Sequence, residues 1–243
     1  MNPDSAQTPP VFLPGWCLGR GPVRASAEAC GARILDLPGY NGTPCVETFD
    51  EAVDLLAAEL PSATPLCGWS LGAMLALAIA ARHPQKVSRV ALLAGTASFV
   101  QREGWPHAMP PAMLAEFAAA IAQDASAMLP RFVGGFNRGD AHAKTVTARL
   151  LKLADPLPAA GILGIGLNWL RDTDLRAEAP QVRAPVLLLH GENDPLMPAA
   201  AARALAAMLP NARLQQFADC AHAGFLSQAD AFHAALRAFL HDA

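Results

Sequence analysis

Short apolar runs that end in glycine, serine, aspartate or proline alternate along the chain with helical patterns. The runs cover residues 11–15, 33–39, 64–68, 87–95 and 185–191. Apolar runs of this length favour strands buried on both faces, as in a parallel sheet. The helical patterns cover residues 48–60, 71–82, 199–209 and 228–240. The first of these opens with Thr48 and Glu51, the pattern of an N-terminal capping box. The alternation predicts an α/β fold with a mostly parallel sheet flanked by helices.

The pattern changes between Ser98 and Ala179, where helical periodicity continues without strand-like runs and prolines recur. An all-helical insertion between two parts of a sheet is expected to cover it as a cap, or lid. We therefore predict a core made of residues 1–98 and 180–243 and a helical cap over residues 99–179. The cap is inserted before the strand-like run 185–191.

Composition narrows the classes of function. The 243 residues are 53% hydrophobic and 16% charged, which allows a sizeable core and argues against disorder. The formal net charge of −3 gives no sign of nucleic-acid binding. Five scattered cysteines form no CxxC pair, which favours free thiols in a reducing compartment. The first ten residues lack a signal pattern, and the apolar stretches that stand out, 71–81 and 159–170, are well short of the ~20 residues of a membrane span. We expect a cytoplasmic protein without a membrane or nucleic-acid partner.

One strand-like run leads into Gly68-Trp-Ser-Leu-Gly72, a G-x-S-x-G sequence that precedes an apolar helical pattern. A sharp strand-to-helix turn needs glycine at both ends because a Cβ there would clash with neighbouring backbone. Such a turn raises the Ser70 hydroxyl above the sheet, at a helix N-terminus where developing negative charge is stabilised. The sequence therefore predicts Ser70 as a catalytic nucleophile, with a coincidental Gly/Ser turn as the alternative.

A nucleophilic serine needs a base, and the base needs an acid that orients it. Among seven histidines, His222 follows the strand-like residues 213–217 and precedes the last helical pattern. That position places it on a loop at the sheet edge where Ser70 is expected. We predict His222 as the base, and we expect the other six histidines to be structural.

Asp194 lies just past the carboxyl end of the apolar run 185–191, in a proline-containing turn, and is the predicted acid. Glu192 is a rival that lies nearer to the strand end, and a solvated loop aspartate is the alternative for Asp194 itself. Asp172 and Asp174, at the end of the helical insertion, fit a helix stop better. Ser70, Asp194 and His222 are therefore the predicted catalytic residues.

An oxyanion hole requires two backbone N–H groups that point at one spot. One is expected from Leu71, which directly follows the nucleophile. The other is expected from Trp16, in the loop after the first strand, where Gly15 permits a turn. A simple turn with a core tryptophan is the alternative for this loop.

Several separate pieces of the sequence carry a family resemblance. They are Gly15-Trp-Cys-Leu18, Asp36-Leu-Pro-Gly-Tyr40, Gly68–Gly72, Glu103-Gly-Trp-Pro106, Thr173-Asp-Leu-Arg176 and Ala221-His-Ala-Gly-Phe225. Together they resemble the pimeloyl-acyl-carrier-protein methyl ester esterases of biotin synthesis, within the α/β-hydrolase superfamily. The chain order Ser…Asp…His is also that of α/β hydrolases. The similarity runs from about Val11 to the C-terminus.

The resemblance implies a serine esterase that removes the methyl group from a pimeloyl chain carried on acyl carrier protein. It implies no metal and no organic cofactor. The substrate contacts of the family correspond here to Trp16, Leu71, Phe132 and Phe136, beside the nucleophile and the base. Trp16 belongs to the predicted oxyanion loop, and Phe132 is the first residue of a stretch of the predicted cap.

The chain departs from the family pattern in three places. Pro14 stands where the family usually has a histidine before the oxyanion glycine. The oxyanion loop comes so early that one or two leading strands are expected to be missing or vestigial. The cap stretch reads Phe132-Val-Gly-Gly-Phe136 and keeps the leading phenylalanine but little else. Contacts with the acyl chain are therefore expected to differ.

The predicted cap carries a basic stretch. Between residues 131 and 152 five basic residues accompany one acid, Asp140; they are Arg131, Arg138, Lys144, Arg149 and Lys152. Acyl carrier protein is strongly acidic, so Arg131, Arg138, Lys144 and Arg149 are candidates for docking it. Ordinary solvated helix faces are the alternative.

Two other functions compete with the carrier-protein esterase, which we expect to be a monomer. One is a broad-specificity carboxylesterase or thioesterase that acts on short acyl chains through the same residues. The other is a ligand-binding protein of the same fold without catalysis. The complete set of predicted catalytic residues argues against the second.

Overall fold

Six strands form one sheet in the computed structural model, which describes residues 8–241. They are β1 (Val11–Leu13), β2 (Arg33–Ile34), β3 (Thr64–Trp69), β4 (Val87–Leu93), β5 (Val186–Gly191) and β6 (Ala212–Phe217). Their order across the sheet is β2-β1-β3-β4-β5-β6, and every neighbouring pair is parallel. The predicted parallel sheet is confirmed. The prediction that no signal pattern is present concerns residues 1–10, most of which lie outside the described residues.

Helices flank the sheet because the apolar strands are buried on both faces. They are α1 (Arg24–Ala29), α2 (Phe49–Ala58), α3 (Leu71–Arg82), α4 (Pro111–Phe136), α5 (Ala143–Leu153), α6 (Ala160–Asp172), α7 (Ala199–Met208), α8 (Gly224–Ser227) and α9 (Ala229–His241). Helix α3 packs against β1, β3 and β4, and its first ten residues are all buried. The predicted capping box of α2 is present: Glu51 N–H donates to Thr48 Oγ1 at 3.2 Å, and Glu51 Oε2 accepts from Thr48 N–H at 2.9 Å.

The second strand is shorter than predicted, since β2 ends at Ile34 and the rest of the apolar run 33–39 is not strand. The Asp36 carboxylate pairs with Arg20 instead. The chain then turns at Gly39, which has φ 85°, and Tyr40 N–H donates to Leu37 O at 3.1 Å. A local turn and an ion pair therefore end the strand after two residues.

Helices α4, α5 and α6 lie between β4 and β5 in the chain, over the stretch predicted to be all-helical. Helix α4 packs against α5 and α6. By length and composition alone α4 could cross a membrane. Its backbone is not helical at Asp124, with φ −154° and ψ 86°, so it consists of two shorter pieces. Neither piece reaches the ~20 residues that a membrane span needs. The division of the chain into core and cap domains stays a prediction.

Candidate active site

Ser70 occupies the turn between β3 and α3, with φ 58° and ψ −118°. A non-glycine residue in this region stores about 1–3 kcal/mol of strain, and such residues cluster at functional sites. The Ser70 N–H holds the turn by donating to Leu93 O at 2.9 Å. The predicted strand–turn–helix setting of the serine is therefore present.

The two glycines of the motif are required by close backbone approach. A Cβ on Gly68 would overlap the carbonyl oxygen of Gly72. A Cβ on Gly72 would overlap the carbonyl oxygens of Leu13, at the end of β1, and Pro14, at the start of the loop that follows. The serine turn and the predicted oxyanion loop are thus in direct contact, and any larger residue would push them apart.

His222 and Asp194 form a buried hydrogen-bonded pair. The distance between His222 Nδ1 and Asp194 Oδ2 is 2.8 Å. The other oxygen, Asp194 Oδ1, accepts the N–H groups of Leu196 and Met197, each at 2.9 Å. Because an ionised carboxylate only accepts hydrogen bonds, Nδ1 of the neutral histidine carries the proton and Nε2 is left basic. The rival Glu192 is exposed and makes no such contact.

Ser70 and the histidine of this pair line one pocket. The pocket at the serine is lined by Gly15, Trp16, Trp69, Ser70, Phe99, Phe132, Phe136, Leu170, Leu196 and His222. Within residues 8–241 no hydrogen bond joins Ser70 Oγ to His222. In unliganded enzymes such contacts are often long and tighten when substrate binds. The structure thus brings together all three residues that the sequence singled out.

The backbone N–H groups of Trp16 and Leu71 donate no hydrogen bond to any described residue. Leu71 is the first residue of α3, where the helix dipole favours negative charge. The Trp16 indole is buried, and its Nε1 donates to Leu163 O of α6 at 3.0 Å. Two N–H groups next to the serine pocket are therefore available to an anionic ligand.

An apolar cavity of about 270 Å³ adjoins the serine pocket and shares six lining residues with it, namely Trp16, Phe99, Phe132, Phe136, Leu170 and Leu196. Its other lining residues are Met109, Met113, Leu114, Phe117, Gly135, Leu167 and Pro195. The Phe132 ring contacts Trp16 and Phe117, and the Phe136 ring lies 5.1 Å from the His222 ring. The cavity is close to the lower end of the roughly 300–1,000 Å³ of small-molecule sites, which suits a slender apolar chain.

Two residues that hold the histidine loop were not singled out from the sequence. Trp69 Nε1 donates to His222 O at 3.1 Å. Asp140, between α4 and α5, accepts from Ala221 N–H at 3.0 Å and from Ser227 Oγ at 2.8 Å. The sequence offered one signal for Asp140, because it is the single acid in a basic stretch.

A second buried histidine, His190, lies at the end of β5 beside the acid. Its Nε2 donates to Met197 O at 2.7 Å and is 3.7 Å from Asp194 Oδ2. Its Nδ1 is buried without a partner. Burial lowers the pKa of His190, so the neutral form is favoured. This histidine therefore supports the loop that carries Asp194, which is the kind of structural role expected for it from the sequence.

The five basic residues of the stretch 131–152 are all exposed, and none forms an ion pair within residues 8–241. Asp140, by contrast, is buried. The exposed charge of this stretch is therefore entirely positive. In the described part of the chain no three His, Cys, Asp or Glu side chains are grouped so that they could hold a metal ion.

Comparisons with known proteins place these features in a family. A family model described as the alpha/beta hydrolase fold matches residues 11–229. A pimeloyl-[acyl-carrier protein] methyl ester esterase from Aromatoleum aromaticum is 44% identical over 233 residues, covering 89% of this chain and 92% of the relative. One from Nitrosomonas europaea is 36% identical over 230 residues, covering 91% of each.

Solved structures of lower identity share the fold. An esterase from Exiguobacterium antarcticum has a TM-score of 0.83 at 22% identity, covering 96% of this chain and 92% of that one. A bromoperoxidase from Bacillus anthracis has a TM-score of 0.83 at 20% identity, covering 97% and 93%. At such identities the likeness concerns the fold alone.

Proposed function

Because the chain belongs to the α/β hydrolase fold family, and within it to the pimeloyl-[acyl-carrier protein] methyl ester esterases, we propose that it hydrolyses the methyl ester of pimeloyl-acyl carrier protein in biotin synthesis. The fold and the family resemblance expected from the sequence are confirmed. The observation that carries the mechanism is the buried His222–Asp194 hydrogen bond beside the strained Ser70 turn.

The proposed reaction begins when Ser70 Oγ attacks the ester carbonyl carbon and its proton passes to His222 Nε2. The carbonyl oxygen becomes an oxyanion, which the N–H groups of Trp16 and Leu71 stabilise. When the tetrahedral intermediate collapses, the carbonyl re-forms, the C–O bond to the methoxy group breaks, and the imidazolium protonates the leaving methoxy oxygen to give methanol. Water then hydrolyses the acyl-enzyme by the same relay and frees Ser70. Asp194 holds the tautomer and stabilises the imidazolium throughout.

The apolar cavity is proposed to receive the acyl chain. Phe132 and Phe136 lie at its junction with the serine pocket, where the carbons nearest to the ester would pack. The apolar lining stabilises the methylene groups of a bound chain. Polar contacts with the ester come from the backbone donors and the catalytic residues. The chemistry needs no metal and no organic cofactor.

The exposed basic stretch is proposed to dock the acyl carrier protein. Unpaired basic residues attract an acidic partner over a distance and raise the rate of association, and salt screens that attraction. Carrier-protein substrates are used inside cells, so we also propose a cytoplasmic location.

A broad-specificity carboxylesterase or thioesterase is the second candidate, and the apolar cavity suits short free esters as well as carrier-bound ones. A ligand-binding protein without catalysis is the third. It is disfavoured because it would have no need for a strained serine beside a histidine–carboxylate pair.

The deciding experiment compares kcat/KM for the carrier-bound methyl ester with that for a free aryl ester, with Ser70→Ala as the blank. A strong preference for the carrier-bound ester that falls with added salt supports the proposal. A preference for the free ester leaves the general esterase, and turnover that survives Ser70→Ala removes the serine mechanism.

A charge-reversal pair tests the docking surface separately. Arg138→Glu should lower kcat/KM for the carrier-bound ester and leave the free ester unaffected. Arg183→Glu is the matched control, because Arg183 is also exposed and unpaired among the described residues but lies outside the basic stretch. Equal effects of the two variants would argue against docking at this stretch.

A further inference from the structure

The oxyanion loop contains a strained turn directly after Trp16. Leu18 N–H donates to Trp16 O at 3.0 Å, and the residue between them, Cys17, has φ 67°. A three-residue turn whose central residue has positive φ is the rare, strained form of the γ-turn. A cysteine has no intrinsic preference for this conformation, so the surrounding structure must hold it.

A hydroxyl group from another loop holds this turn. Cys17 N–H donates to Tyr40 Oη at 3.0 Å, and both residues are buried. The hydroxyl group is the partner of an N–H that would otherwise be buried without an acceptor, which is costly. Burial also raises the pKa of Tyr40, so that the neutral phenol is the form present.

Tyr40 is itself fixed in a short, well-bonded turn after β2. Tyr40 N–H donates to Leu37 O at 3.1 Å, and the single hydroxyl proton of Thr43 is shared between Leu37 O and Tyr40 O, each 2.8 Å from Thr43 Oγ1. The hydroxyl group is therefore presented from a rigid support, which is what a positioning group needs.

The remaining contacts of the loop hold other parts of it. Trp16 Nε1 bonds to Leu163 O and fixes the indole, and Gly15 packs on the Trp69 ring, where a Cβ would come within 2.9 Å. Neither contact fixes the peptide unit that follows Trp16. The Tyr40 hydroxyl group fixes this peptide unit by accepting the N–H of Cys17. Pro14, which stands where the family usually has a histidine, has no N–H that could form a further bond in the loop.

From this geometry we propose that Tyr40 is a positioning residue for the oxyanion hole: its hydroxyl group holds the peptide unit after Trp16, which restricts the backbone rotation of Trp16 and thereby keeps Trp16 N–H, in the preceding peptide unit, directed at the developing oxyanion. The inference rests on the proposed function, since it assumes that an oxyanion forms at Ser70. Tyr40 touches no reacting atom and acts only through the loop.

The test is Tyr40→Phe, which removes the hydroxyl group and keeps the ring. Loss of one oxyanion donor costs on the order of 10²–10³-fold in kcat, so a misdirected donor should cost about ten- to a hundredfold. KM for a free aryl ester should change less than about twofold, because the hole binds the transition state and not the ground state. The affinity for an alkylboronic acid, which adds to a serine hydroxyl as a tetrahedral anion, should fall in proportion to kcat.

Ser26→Ala is the matched control. Ser26 is a buried residue whose hydroxyl group makes one hydrogen bond among the described residues, to His233 Nε2 at 2.9 Å, and it lines neither the serine pocket nor the apolar cavity. We expect both Ser26→Ala and Tyr40→Phe to lower the melting temperature. Ser26→Ala should leave kcat and boronate affinity unchanged.

Three results would overturn the positioning role. They are an unchanged kcat in Tyr40→Phe, a kcat loss without loss of boronate affinity, or an equal kcat loss in Ser26→Ala. Failure of the proposed function looks different, because the unmodified protein would then lack ester hydrolysis or Ser70→Ala would retain it.

Discussion

The indole of Trp69 donates a hydrogen bond of 3.1 Å to the backbone carbonyl of His222. Trp69 is the residue before Ser70 in the chain, and Gly15 packs against the edge of its ring. One buried side chain thus contacts the loop of the proposed base, the loop of the proposed oxyanion donor and the turn of the proposed nucleophile. Its position in the G-x-S-x-G motif is usually regarded as variable, yet here it joins the three loops.

Trp69→Phe should therefore lower kcat by about ten- to a hundredfold, because displacement of catalytic groups by an ångström is enough for such a loss. The measurement is steady-state hydrolysis of a free aryl ester together with a thermal melt. Trp105→Phe is the control, since Trp105 is equally buried and donates its Nε1 to Ser98 O at 3.0 Å. Similar kcat losses in both variants would contradict a specific role of Trp69.

Asp140→Asn should destabilise the protein and weaken catalysis together. The amide cannot accept from all the donors that the carboxylate serves, and an unsatisfied buried group costs about 1–3 kcal/mol. Urea unfolding should show this loss, and kcat/KM should fall because the histidine loop loses its bond at Ala221 N–H. Ser227→Ala removes a different donor to Asp140 and should affect stability more than activity. The reverse ranking would show that the loop does not depend on Asp140.

Gly135→Leu should shorten the acyl chains that the protein accepts. Gly135 lines the apolar cavity, and no atom other than those of its chain neighbours and the nearby helix backbone lies within 4 Å of the place where its Cβ would stand. A larger side chain can therefore enter the cavity without strain in the helix. Across aryl esters from acetate to octanoate, kcat/KM for the long chains should fall at least about tenfold while that for acetate changes little.

Gly134→Leu is the control for this change of specificity. Gly134 is the preceding residue on the same helix, is exposed, and does not line the cavity. It experiences the same gain in helix propensity. A loss of long-chain activity in this variant as well would show that the helix, and not the cavity wall, determines the preference.

The buried His190 predicts a loss of stability on acidification. Because burial lowers its pKa in the folded protein, the unfolded chain takes up the proton first. The stabilising contribution is present above the unfolded pKa of about 6.5 and is lost as the pH falls from there toward the folded pKa. The free energy of unfolding should therefore fall with a slope of at most ~1.4 kcal/mol per pH unit from this residue.

The comparison with His190→Gln isolates that contribution. Glutamine does not titrate and retains an N–H donor for Met197 O. The other titratable side chains that act on His190, namely Asp194, His222 and Arg203, are common to both proteins and cancel in the difference. Urea unfolding below neutral pH should show a steeper decline for the unmodified protein, and parallel curves would contradict the expected role.

Features that depend on local sequence were predictable. The β3–Ser70–α3 turn follows from glycines that must sit against neighbouring backbone, and the capping box of α2 follows from Thr48 and Glu51. The bounds of α3 were predicted without error, since its apolar run ends at Arg82 and a proline follows two residues later.

Contacts between residues far apart in sequence were not predictable. Asp140 meets Ala221, and Tyr40 meets Cys17, only after the sheet has brought separate loops to one edge. No periodicity or spacing encodes such pairs. The early end of β2 has the same origin, because the ion pair of Asp36 with Arg20 depends on the fold.

The helical insert between β4 and β5 holds the loops of the candidate site in place and also lines the apolar cavity. It contributes Leu163 O to the Trp16 indole, the Asp140 carboxylate to the histidine loop, and Gly139 O to Asn193 beside the acid. A chimera that received a foreign insert would gain a new pocket and lose all three anchors. Substrate range on this scaffold is therefore more readily altered by point changes on the inner helix face than by exchange of whole modules.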